Sequence, residues 1–550
     1  MLTSSETGDI LKMGRYSEIR ERLDHLQVEE VDLGGKFCVP GLVDAHAHMI
    51  LGGSFLKYLD LGGVTSKEGF ILAVKQRAEQ LKPNEWLFGH GWDENNWSGE
   101  EGEDRDRRLL PSQTWINEVT PRNPVSLTRA DGHMVLVNDV ALRVANISSQ
   151  SEDPVGGIIE RLEQPDGKQT LTGILKDSAI QMVRKVQPEL TKEQKKAAIR
   201  DAMDYAVKNG VTSVHDMGTP LFSQSLRLCM EDLYLYHTMA QENELDIRIY
   251  ACVPLDGASD LEAFIEREGW HHASQMLRWG CVKEFYDGSL GSETALMHEP
   301  YLDLTAAAAA AAAGGEEEKS ASAQNTGLRV HQDSKKLAQA VRKAKRANMQ
   351  IIMHAIGDLA VDEAVDILGG HHNAVADTRP KRHRIEHAQH ISGPGALAAL
   401  KREDIIPVVN PIHLLYDANV MLEKLGRERS GRGRSYPFRS MLLSNLSVAF
   451  GSDWPLVAPL EPLRSVFAAT ERIPHGWEER FVPEEVITRE EALAAVTSRA
   501  SLASSTEHLT GKLKAGLKAD FVVLDQDPLT CKEKPTVLRT YVNGKCKFKL

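Results

Sequence analysis

The segment Val39-Pro-Gly-Leu-Val-Asp-Ala-His-Ala-His-Met49 joins an apolar run to His46 and His48, which are separated by a single residue. In a β-strand, side chains two residues apart point to the same face, so both imidazoles could bind one metal ion at a strand end. An isolated His-x-His pair is nevertheless more often a pair of surface or turn histidines. The interpretation as a metal site therefore depends on whether the rest of the chain brings further ligands to the same place.

Apolar runs typical of β-strands alternate with amphipathic helical stretches along most of the chain. Helical periodicity is clear in Lys192–Lys208, Ser334–Ala347 and Val361–Leu368. Eight strands that alternate with helices predict an α/β fold, a (β/α)8 TIM-like barrel. The candidate strands are Phe37–Asp44, Val211–His215, Ile247–Val253, Cys281–Phe285, Gln350–His354, His383–His387, Ile405–Asn410 and Leu446–Asp453.

Two stretches interrupt this alternation. Roughly 160 residues separate the first two strands, and we expect residues 55–190 to form an inserted subdomain at the rim of the barrel. A lid is a natural role for it, because the loops that follow barrel strands lie at the catalytic face. The second stretch, residues 304–326, contains the alanine run Ala306–Ala313 followed by glycine, serine and charged residues, which predicts a low-complexity surface loop.

Strand-like segments at the two ends of the chain are too short to form a core separately. We expect residues 1–38 and 505–550 to form one small β-sandwich domain beside a barrel domain of residues 39–504. The segment that carries His46 and His48 is then the boundary between the two domains, since the small domain precedes it and the barrel follows it.

The composition is that of an ordinary globular protein that can bury a large core. The 550 residues include 78 acidic and 65 basic side chains, and the net charge of −13 argues against binding to nucleic acid or to an anionic membrane surface. Six cysteines without a C-x-x-C pair are typical of a reducing compartment rather than of a disulfide framework. Without a signal-peptide pattern or an apolar run of about 20 residues, the expected location is the cytoplasm.

Metal-ligand side chains lie at the ends of five predicted strands. Each has an ordinary explanation when it is taken singly: a histidine can be a hydrogen-bonded core residue, Asp453 a helix cap and Lys283 a salt-bridged lysine. A barrel, however, gathers the C-terminal ends of all its strands at one mouth, so the whole set could converge on one site. The set consists of His46, His48, Lys283, His354, His387 and Asp453.

This pattern resembles the amidohydrolase superfamily of metal-dependent barrels, which has His-x-His on strand one, lysine on strand four, histidines on strands five and six and aspartate on strand eight. The closer similarity is to its YtcJ-like, N-substituted formamide deformylase-like branch, and the plant Long After Far-Red proteins are similar too. The similarity covers nearly the whole chain. It is carried by Pro40-Gly-Leu-Val-Asp-Ala-His-Ala-His48, Val282-Lys-Glu-Phe-Tyr-Asp-Gly-Ser-Leu-Gly-Ser292, His354-Ala-Ile-Gly-Asp358, Arg384-Ile-Glu-His-Ala-Gln389, Gly451-Ser-Asp-Trp-Pro455 and Gly511–Asp525.

The resemblance implies a centre of two divalent ions, expected to be zinc. Lys283 would carry a CO2-derived carbamate that bridges the ions, because an unmodified lysine cannot supply two anionic oxygens. If Lys283 is unmodified, the alternative interpretation is a centre of one metal ion. The more buried ion would be bound by His46, His48 and Asp453, and the other by His354 and His387.

The reaction implied by the resemblance is the hydrolysis of a C–N bond other than a peptide bond, in an amide or a formamide. A metal-bridging hydroxide would attack the carbonyl, and Asp453 would act as general acid and base. The products would be an amine and a carboxylic acid. Two alternatives stay open: a deaminase or other hydrolase that uses the same site, and a non-enzymatic regulatory protein that retains the barrel.

Further side chains are candidates for contact with a small-molecule substrate. The segment Arg129-Ala-Asp-Gly-His133 resembles a substrate-facing part of this branch, Trp92 could line an aromatic pocket, and His413 follows the seventh strand at the catalytic end. Asp287 and Glu293 are expected to support the loop after Lys283 rather than to bind metal. The substrate-contact set is therefore Arg129, Asp131, His133, Trp92 and His413.

One departure from the family pattern concerns the N-terminus. Relatives usually carry a longer run of strands ahead of the Pro-Gly-Leu-Val-Asp segment, which here begins at Pro40. The two interpretations are an incomplete small β domain and a truncated form of the chain that lacks any upstream targeting segment. These sequence patterns do not predict the oligomeric state, and a homodimer is one of the alternatives.

Overall fold

The computed structural model describes residues 1–20, 23, 28–94, 97, 110–130, 132–154, 156–164, 167–218, 226–302, 325–331, 333–370 and 382–550. Asp131 and most of the predicted loop 304–326 lie outside these residues. No helix in the described ranges is long and apolar enough to cross a membrane.

The strands fall into three large sheets and one small hairpin. In chain order they are β1 (Leu2–Thr3), β2 (Ile10–Lys12), β3 (Phe37–Pro40), β4 (Leu42–Ala47), β5 (Leu59–Asp60), β6 (Leu87–Trp92), β7 (Val125–Arg129), β8 (Met134–Val137), β9 (Gly157–Glu163), β10 (Gln169–Asp177), β11 (Val211–Asp216), β12 (Arg248–Pro254), β13 (Leu277–Phe285), β14 (Gln350–Ala355), β15 (Arg384–His387), β16 (Ile406–Val409), β17 (Ala449–Phe450), β18 (Phe521–Leu524), β19 (Val537–Val542) and β20 (Lys545–Lys549).

The helices mostly lie between these strands and cover the barrel. In chain order they are α1 (Tyr16–Arg20), α2 (Met49–Phe55), α3 (Lys67–Ala78), α4 (Gln113–Ile116), α5 (Asp139–Val144), α6 (Ile180–Arg184), α7 (Lys192–Lys208), α8 (Leu226–Gln241), α9 (Ala258–Glu268), α10 (Ser334–Arg346), α11 (Asp358–Leu368), α12 (Pro394–Arg402), α13 (Pro411–Arg429), α14 (Phe438–Leu443), α15 (Pro462–Glu471), α16 (Arg489–Ala495) and α17 (Ser498–Ala503), with short 3-10 turns at Leu255–Gly257 and Pro483–Glu485.

The largest sheet is the predicted barrel of parallel strands. Its order is β17-β16-β15-β14-β13-β12-β11-β4, so each strand of this sheet pairs with the strand of the same sheet that comes next along the chain. Its two ends meet through a parallel bridge between Ala47 and Trp454. Two backbone hydrogen bonds flank that bridge: Asp453 N donates to His46 O (2.7 Å), and His48 N donates to Trp454 O (2.8 Å). The (β/α)8 prediction is therefore confirmed, with a barrel that is nearly closed.

The first predicted strand is in fact two strands that belong to different sheets. β3 pairs with β18 in a four-stranded antiparallel sheet of order β20-β19-β18-β3, whereas β4 begins the barrel. Gly41 separates them because the chain approaches Thr212 so closely that an added Cβ would lie 2.1 Å from its Oγ1. Treating Phe37–Asp44 as one continuous barrel strand was therefore wrong.

An ion pair connects the four-stranded sheet to the barrel. The Arg248 guanidinium at the start of β12 donates to both carboxylate oxygens of Asp520, at 2.6 and 3.1 Å, and the pair is buried. Arg248 also bonds Asn543, beside β19. The sheet formed by both ends of the chain therefore packs on the barrel through polar as well as apolar contacts.

The segment between β4 and β11 contains a six-stranded sheet of order β5-β6-β7-β8-β10-β9. It has apolar clusters of its own, one around Phe70 and Trp92 and the other around Val135 and Leu175. The chain returns to the barrel through α7, which starts with a capping box at Thr191 and ends before Gly210, at φ +78°. The domain boundaries proposed from the sequence stay a prediction.

The cysteines give one departure from the expectation of a chain without disulfides. Cys252 on β12 and Cys281 on β13 are neighbours in the barrel ladder, and the structure joins them in a disulfide. Both lie in apolar strands, so the sequence presents them as ordinary buried residues and their pairing follows only from the register of the two strands. Cys38, Cys531 and Cys546 are free.

The packing of α2 against α7 provides a test of the barrel wall. A Cβ on Gly53 would lie 1.8 Å from the carbonyl oxygen of Ala198, which is backbone and cannot rotate away. We expect Gly53→Ala to lower the free energy of unfolding by about 2 kcal/mol, measured by urea denaturation. The control is Gly395→Ala in α12, where nothing lies within 4 Å; it should be neutral or stabilising by up to about 1 kcal/mol. Equal effects of the two substitutions would contradict the packing argument.

Candidate metal centre

The predicted ligands converge at the C-terminal mouth of the barrel. They line one cavity of about 750 Å³. His46 is the next-to-last residue of β4 and His48 follows that strand. Lys283 lies in β13, His354 in β14 and His387 in β15, and Asp453 comes shortly after β17. All six residues are buried, and each is at most 8% exposed.

Asp453 lies between the two histidines of the first strand. Its Oδ1 is 3.2 Å from Nε2 of His46 and 3.2 Å from Nε2 of His48. Ligand atoms of His46, His387 and Asp453 all lie within 4.8 Å of one another, so Asp453 adjoins His387 as well as the first-strand histidines. The rings of His354 and His387 are 4.5 Å apart at their centroids, so the second pair of histidines adjoins the first.

Hydrogen bonds on the far side of each ring decide which nitrogen faces the centre. Nδ1 of His48 lies 2.6 Å from Gly218 O, and Nδ1 of His387 lies 2.8 Å from Asn410 Oδ1. Nδ1 of His46 bonds the Glu386 carboxylate, whereas His354 uses Nε2, 3.1 Å from Gly288 O. Three rings therefore offer Nε2 to the cavity and the fourth offers Nδ1, each ring being held by the partner of its other nitrogen.

Two ligands adopt backbone conformations that side chains rarely take. His387 has φ +69° and Asp453 has φ +63°, both in the left-handed region. In β15, alternation would turn His387 away from the face of Arg384 and Glu386, and the left-handed residue changes that direction. Such conformations cost about 1–3 kcal/mol each and often occur at functional sites.

The electrostatics of the cavity favour neutral side chains at His354 and His387 and an ionised side chain at Asp453. Burial lowers the pKa values of His354 and His387 well below their usual range, which favours the neutral form that binds metal. Burial would raise the pKa of Asp453, but contacts with His46 and His48 hold it well below the usual value. The carboxylate is therefore available as a ligand or a base.

Lys283 has an environment unlike that of an ordinary lysine. Its Nζ is buried in the cavity wall and has no hydrogen-bond partner among the described residues. Burial lowers the pKa of this ammonium to about 8, so a substantial fraction is neutral amine slightly above neutral pH. A neutral buried amine is nucleophilic and can react with CO2, whereas an ammonium cannot.

The predicted substrate contacts divide into two groups. Arg129, His133 and His413 line the cavity. Trp92 does not: it is fully buried in the six-stranded sheet, and its indole N–H donates to Leu127 O at 2.8 Å. Its prediction as a pocket residue failed because its strand turns that side chain into the insertion's own core. Asp131 lies outside the described residues.

The three cavity residues are held by specific partners. Nδ1 of His133 lies 2.8 Å from Asp177 Oδ1, and Nε2 of His413 lies 3.2 Å from Ser452 O. The guanidinium of Arg129 donates to Glu94 and to Asp93 at 2.9 to 3.1 Å. Arg129 therefore neutralises two carboxylates of the insertion besides lining the cavity.

The residues expected to support the loop after Lys283 differ in depth. Asp287 is buried and accepts backbone N–H groups from Leu296, Ile356 and Gly357. Burial raises its pKa to about 7. Glu293 instead lies toward the surface and pairs with Lys424 at 2.5 Å. Asp287 therefore connects the loops that follow β13 and β14, whereas Glu293 connects its loop to α13.

Sequence reasoning missed the partners of the ligands, above all Glu386 and Asn410. Glu386 lies next to His387 in the quoted segment Arg384-Ile-Glu-His, and the period-two alternation places it on the same face as Arg384. The signal that could have identified Glu386 was a pair of opposite charges two residues apart inside a predicted barrel strand. Burial alone would raise the pKa of Glu386. The nearby charges of Arg384, His46 and Lys283 instead lower it to about 2.

Comparison with known proteins agrees with this geometry. Residues 29–548 match the model of a family described as the amidohydrolase family. The chain belongs to the amidohydrolase family. This membership confirms the resemblance inferred from the strand-end motifs, and it supports hydrolase activity.

Individual relatives extend over nearly the whole chain of this amidohydrolase. It is 38% identical over 544 residues to protein LONG AFTER FAR-RED 3 of Arabidopsis thaliana, covering 98% of this chain and 86% of the relative. It is 25% identical to the N-substituted formamide deformylase of Arthrobacter pascens, covering 98% and 93%. Among solved structures, an uncharacterized metal-dependent hydrolase from Pyrococcus horikoshii OT3 matches with a TM-score of 0.70 and 26% identity, covering 96% and 93%.

The ion pairs of Arg129 generate a prediction about stability. Arg129→Ala would leave the Asp93 and Glu94 carboxylates, which are 16% and 9% exposed, without this guanidinium. We expect the free energy of unfolding to fall by about 3 kcal/mol in urea denaturation. The exposed pair of Arg143 and Asp139 is the control, and Arg143→Ala should cost under about 0.5 kcal/mol. A stable Arg129→Ala variant would show that the guanidinium is not needed for folding.

Proposed function

We propose that this amidohydrolase cleaves C–N bonds other than peptide bonds, in amides or formamides. The observation that carries the proposal is the convergence of His46, His48, Lys283, His354, His387 and Asp453 on one cavity. The name of the Arthrobacter pascens relative gives N-substituted formamides as its substrate class, which supports the same class for this chain. The cytoplasm as compartment and a homodimer as assembly stay predictions.

The residues present fit a centre of two zinc ions. Four imidazoles and a carboxylate suit zinc, and Lys283 Nζ, which has no hydrogen-bond partner among the described residues, leaves a place for the oxygens of a carbamate. One ion would be held by His46, His48 and Asp453, the other by His354 and His387, with the Lys283 carbamate between them. When bound, the ions would acidify a water molecule and polarise the substrate carbonyl.

Asp453 would carry the proton through the reaction. Its ionised carboxylate takes a proton from the attacking water while the water oxygen bonds to the carbonyl carbon. As the C–N bond breaks, Asp453 returns that proton to the leaving nitrogen. The products are an amine and a carboxylic acid, and Asp453 is again ionised.

The cavity wall would orient the substrate. His133 and His413 offer polar atoms on rings fixed by Asp177 and Ser452. Phe55, Tyr58 and Tyr416 supply an aromatic surface in the same cavity. We expect them to enclose the apolar part of the acyl or amine group while the two histidines bind its polar atoms.

Metal content is the first test. Protein produced with zinc and bicarbonate should contain about two metal ions per chain by elemental analysis. Chelation should abolish hydrolysis of N-substituted formamides, and zinc with bicarbonate should restore it.

A panel of N-acyl amino acids, nucleobases and lactones distinguishes the alternative reactions. Hydrolysis of lactones or deamination of nucleobases without amide cleavage would contradict the proposed reaction. Protein without metal would contradict the centre itself.

Lys283→Ala tests the carbamate. The variant should lose activity and most of its metal, and bicarbonate with a short carboxylic acid should partly restore both by replacing the missing oxygens. The matched control is Lys195→Ala, which removes another buried lysine, paired with Asp232 outside the cavity. That variant should be less stable but keep its metal content. Full activity in Lys283→Ala would exclude the carbamate role.

A further inference from the structure

A buried pair of opposite charges lies directly beneath the candidate ligands. Glu386 and Arg384 are both 0% exposed. Arg384 Nε donates to Glu386 Oε1 at 2.9 Å and Nη2 donates to Oε2 at 3.0 Å, so the carboxylate is held by a two-point fork. Removing such charges from water costs several kcal/mol per ion, and apolar residues can often replace a buried pair without loss of stability. The pair therefore calls for a function besides packing.

Arg384 is itself fixed to two other barrel strands. Its Nη2 donates to the carbonyl oxygen of Ala45 at 2.6 Å, and its Nη1 lies 3.0 Å from Nδ1 of His215. Ala45 precedes His46 in β4, so one guanidinium holds both the backbone before this ligand and the carboxylate that bonds its ring. Glu386 thus reaches His46 from a support that spans three strands.

The four candidate histidine ligands differ in what their second nitrogen contacts. His48 and His354 face backbone carbonyls and His387 faces the amide oxygen of Asn410. Asp287 Oδ1 lies 3.6 Å from Nε2 of His354, beyond hydrogen-bond distance. At the nitrogen that faces away from the cavity, His46 alone among these four histidines bonds a carboxylate of the described residues, that of Glu386. A carboxylate acceptor withdraws the ring proton more strongly than a neutral oxygen, and this makes the opposite nitrogen a better metal ligand.

We propose that Glu386 is a positioning residue which, through His46, makes the ion held by His46, His48 and Asp453 the more tightly bound of two. The inference rests on the metal centre of the proposed function. It adds an order of loading: the ion at the first-strand histidines binds first, and the ion at His354 and His387 binds second. Arg384 acts one contact further away, by keeping the Glu386 carboxylate directed at the His46 ring.

The test measures zinc binding to apoprotein in the presence of bicarbonate, by competition with a chromophoric chelator. The unmodified chain should show two affinities. Glu386→Gln keeps the shape of the side chain but replaces the carboxylate, and it should weaken the tighter affinity by about 10- to 100-fold while the weaker one is unchanged. Cobalt absorption, recorded at one equivalent, should shift in the same variant because the His46 ligand field changes.

A matched control is available in another buried carboxylate. Glu485 is 0% exposed and accepts from Gly433 N and from Ser440 at 2.5 to 2.9 Å, away from the cavity. Glu485→Gln should leave both zinc affinities and the cobalt spectrum unchanged even if it lowers stability. Circular dichroism of each apoprotein establishes that the variants are folded.

Several results would overturn the inference. They are two equal affinities in the unmodified chain, unchanged affinities in Glu386→Gln, or an equal loss at both ions. If Glu386→Gln does not fold, the test uses Arg384→Lys, which keeps the positive charge but loses the two-point hydrogen bond to Glu386. In that variant the tighter zinc affinity should fall several-fold, and an unchanged affinity would overturn the inference. Because no substrate is involved, two unequal ions without amide hydrolysis would refute the proposed reaction and leave this inference standing.

Discussion

The closure of the barrel is the constraint on which the rest of the structure depends. The first and last strands meet through two backbone hydrogen bonds, from Asp453 N to His46 O at 2.7 Å and from His48 N to Trp454 O at 2.8 Å. The residues that make these bonds include three candidate ligands. The same contacts that join strands roughly 400 residues apart in sequence therefore also bring the Asp453 carboxylate to the two imidazoles.

A second constraint is the polar layer inside the barrel, which is unfavourable unless its buried charges are paired and hydrogen-bonded. Arg384, Glu386 and His215 occupy positions that a simple barrel fills with branched apolar side chains. Their hydrogen bonds cross β4, β11 and β15, so they stabilise the arrangement of these strands only if all partners are present. The layer thus couples the correct register of the strands to the orientation of His46.

The sequence predicted what depends on periodicity and strand order, and missed what depends on the path of the backbone. Parallel strands deliver their C-terminal residues to one mouth, so the convergence of the six candidate ligands could be predicted from their places near strand ends. The division at Gly41 could not, because it results from a close approach to Thr212 on another strand. Trp92 was misassigned for a similar reason: whether an aromatic ring lines a cavity or fills a core depends on which sheet receives its strand.

The left-handed ligands show why alternation alone cannot specify such a centre. In β15, Arg384 and Glu386 share the inward face, and the following His387 would point outward in a regular strand. Its φ of +69° turns the chain so that the imidazole enters the cavity beside the Glu386 carboxylate that orients His46. One short strand can thus contribute a ligand and the support for a different ligand in adjacent positions. The left-handed backbone at His387 makes both roles possible, since a regular strand would place only one of these two side chains on the inner face.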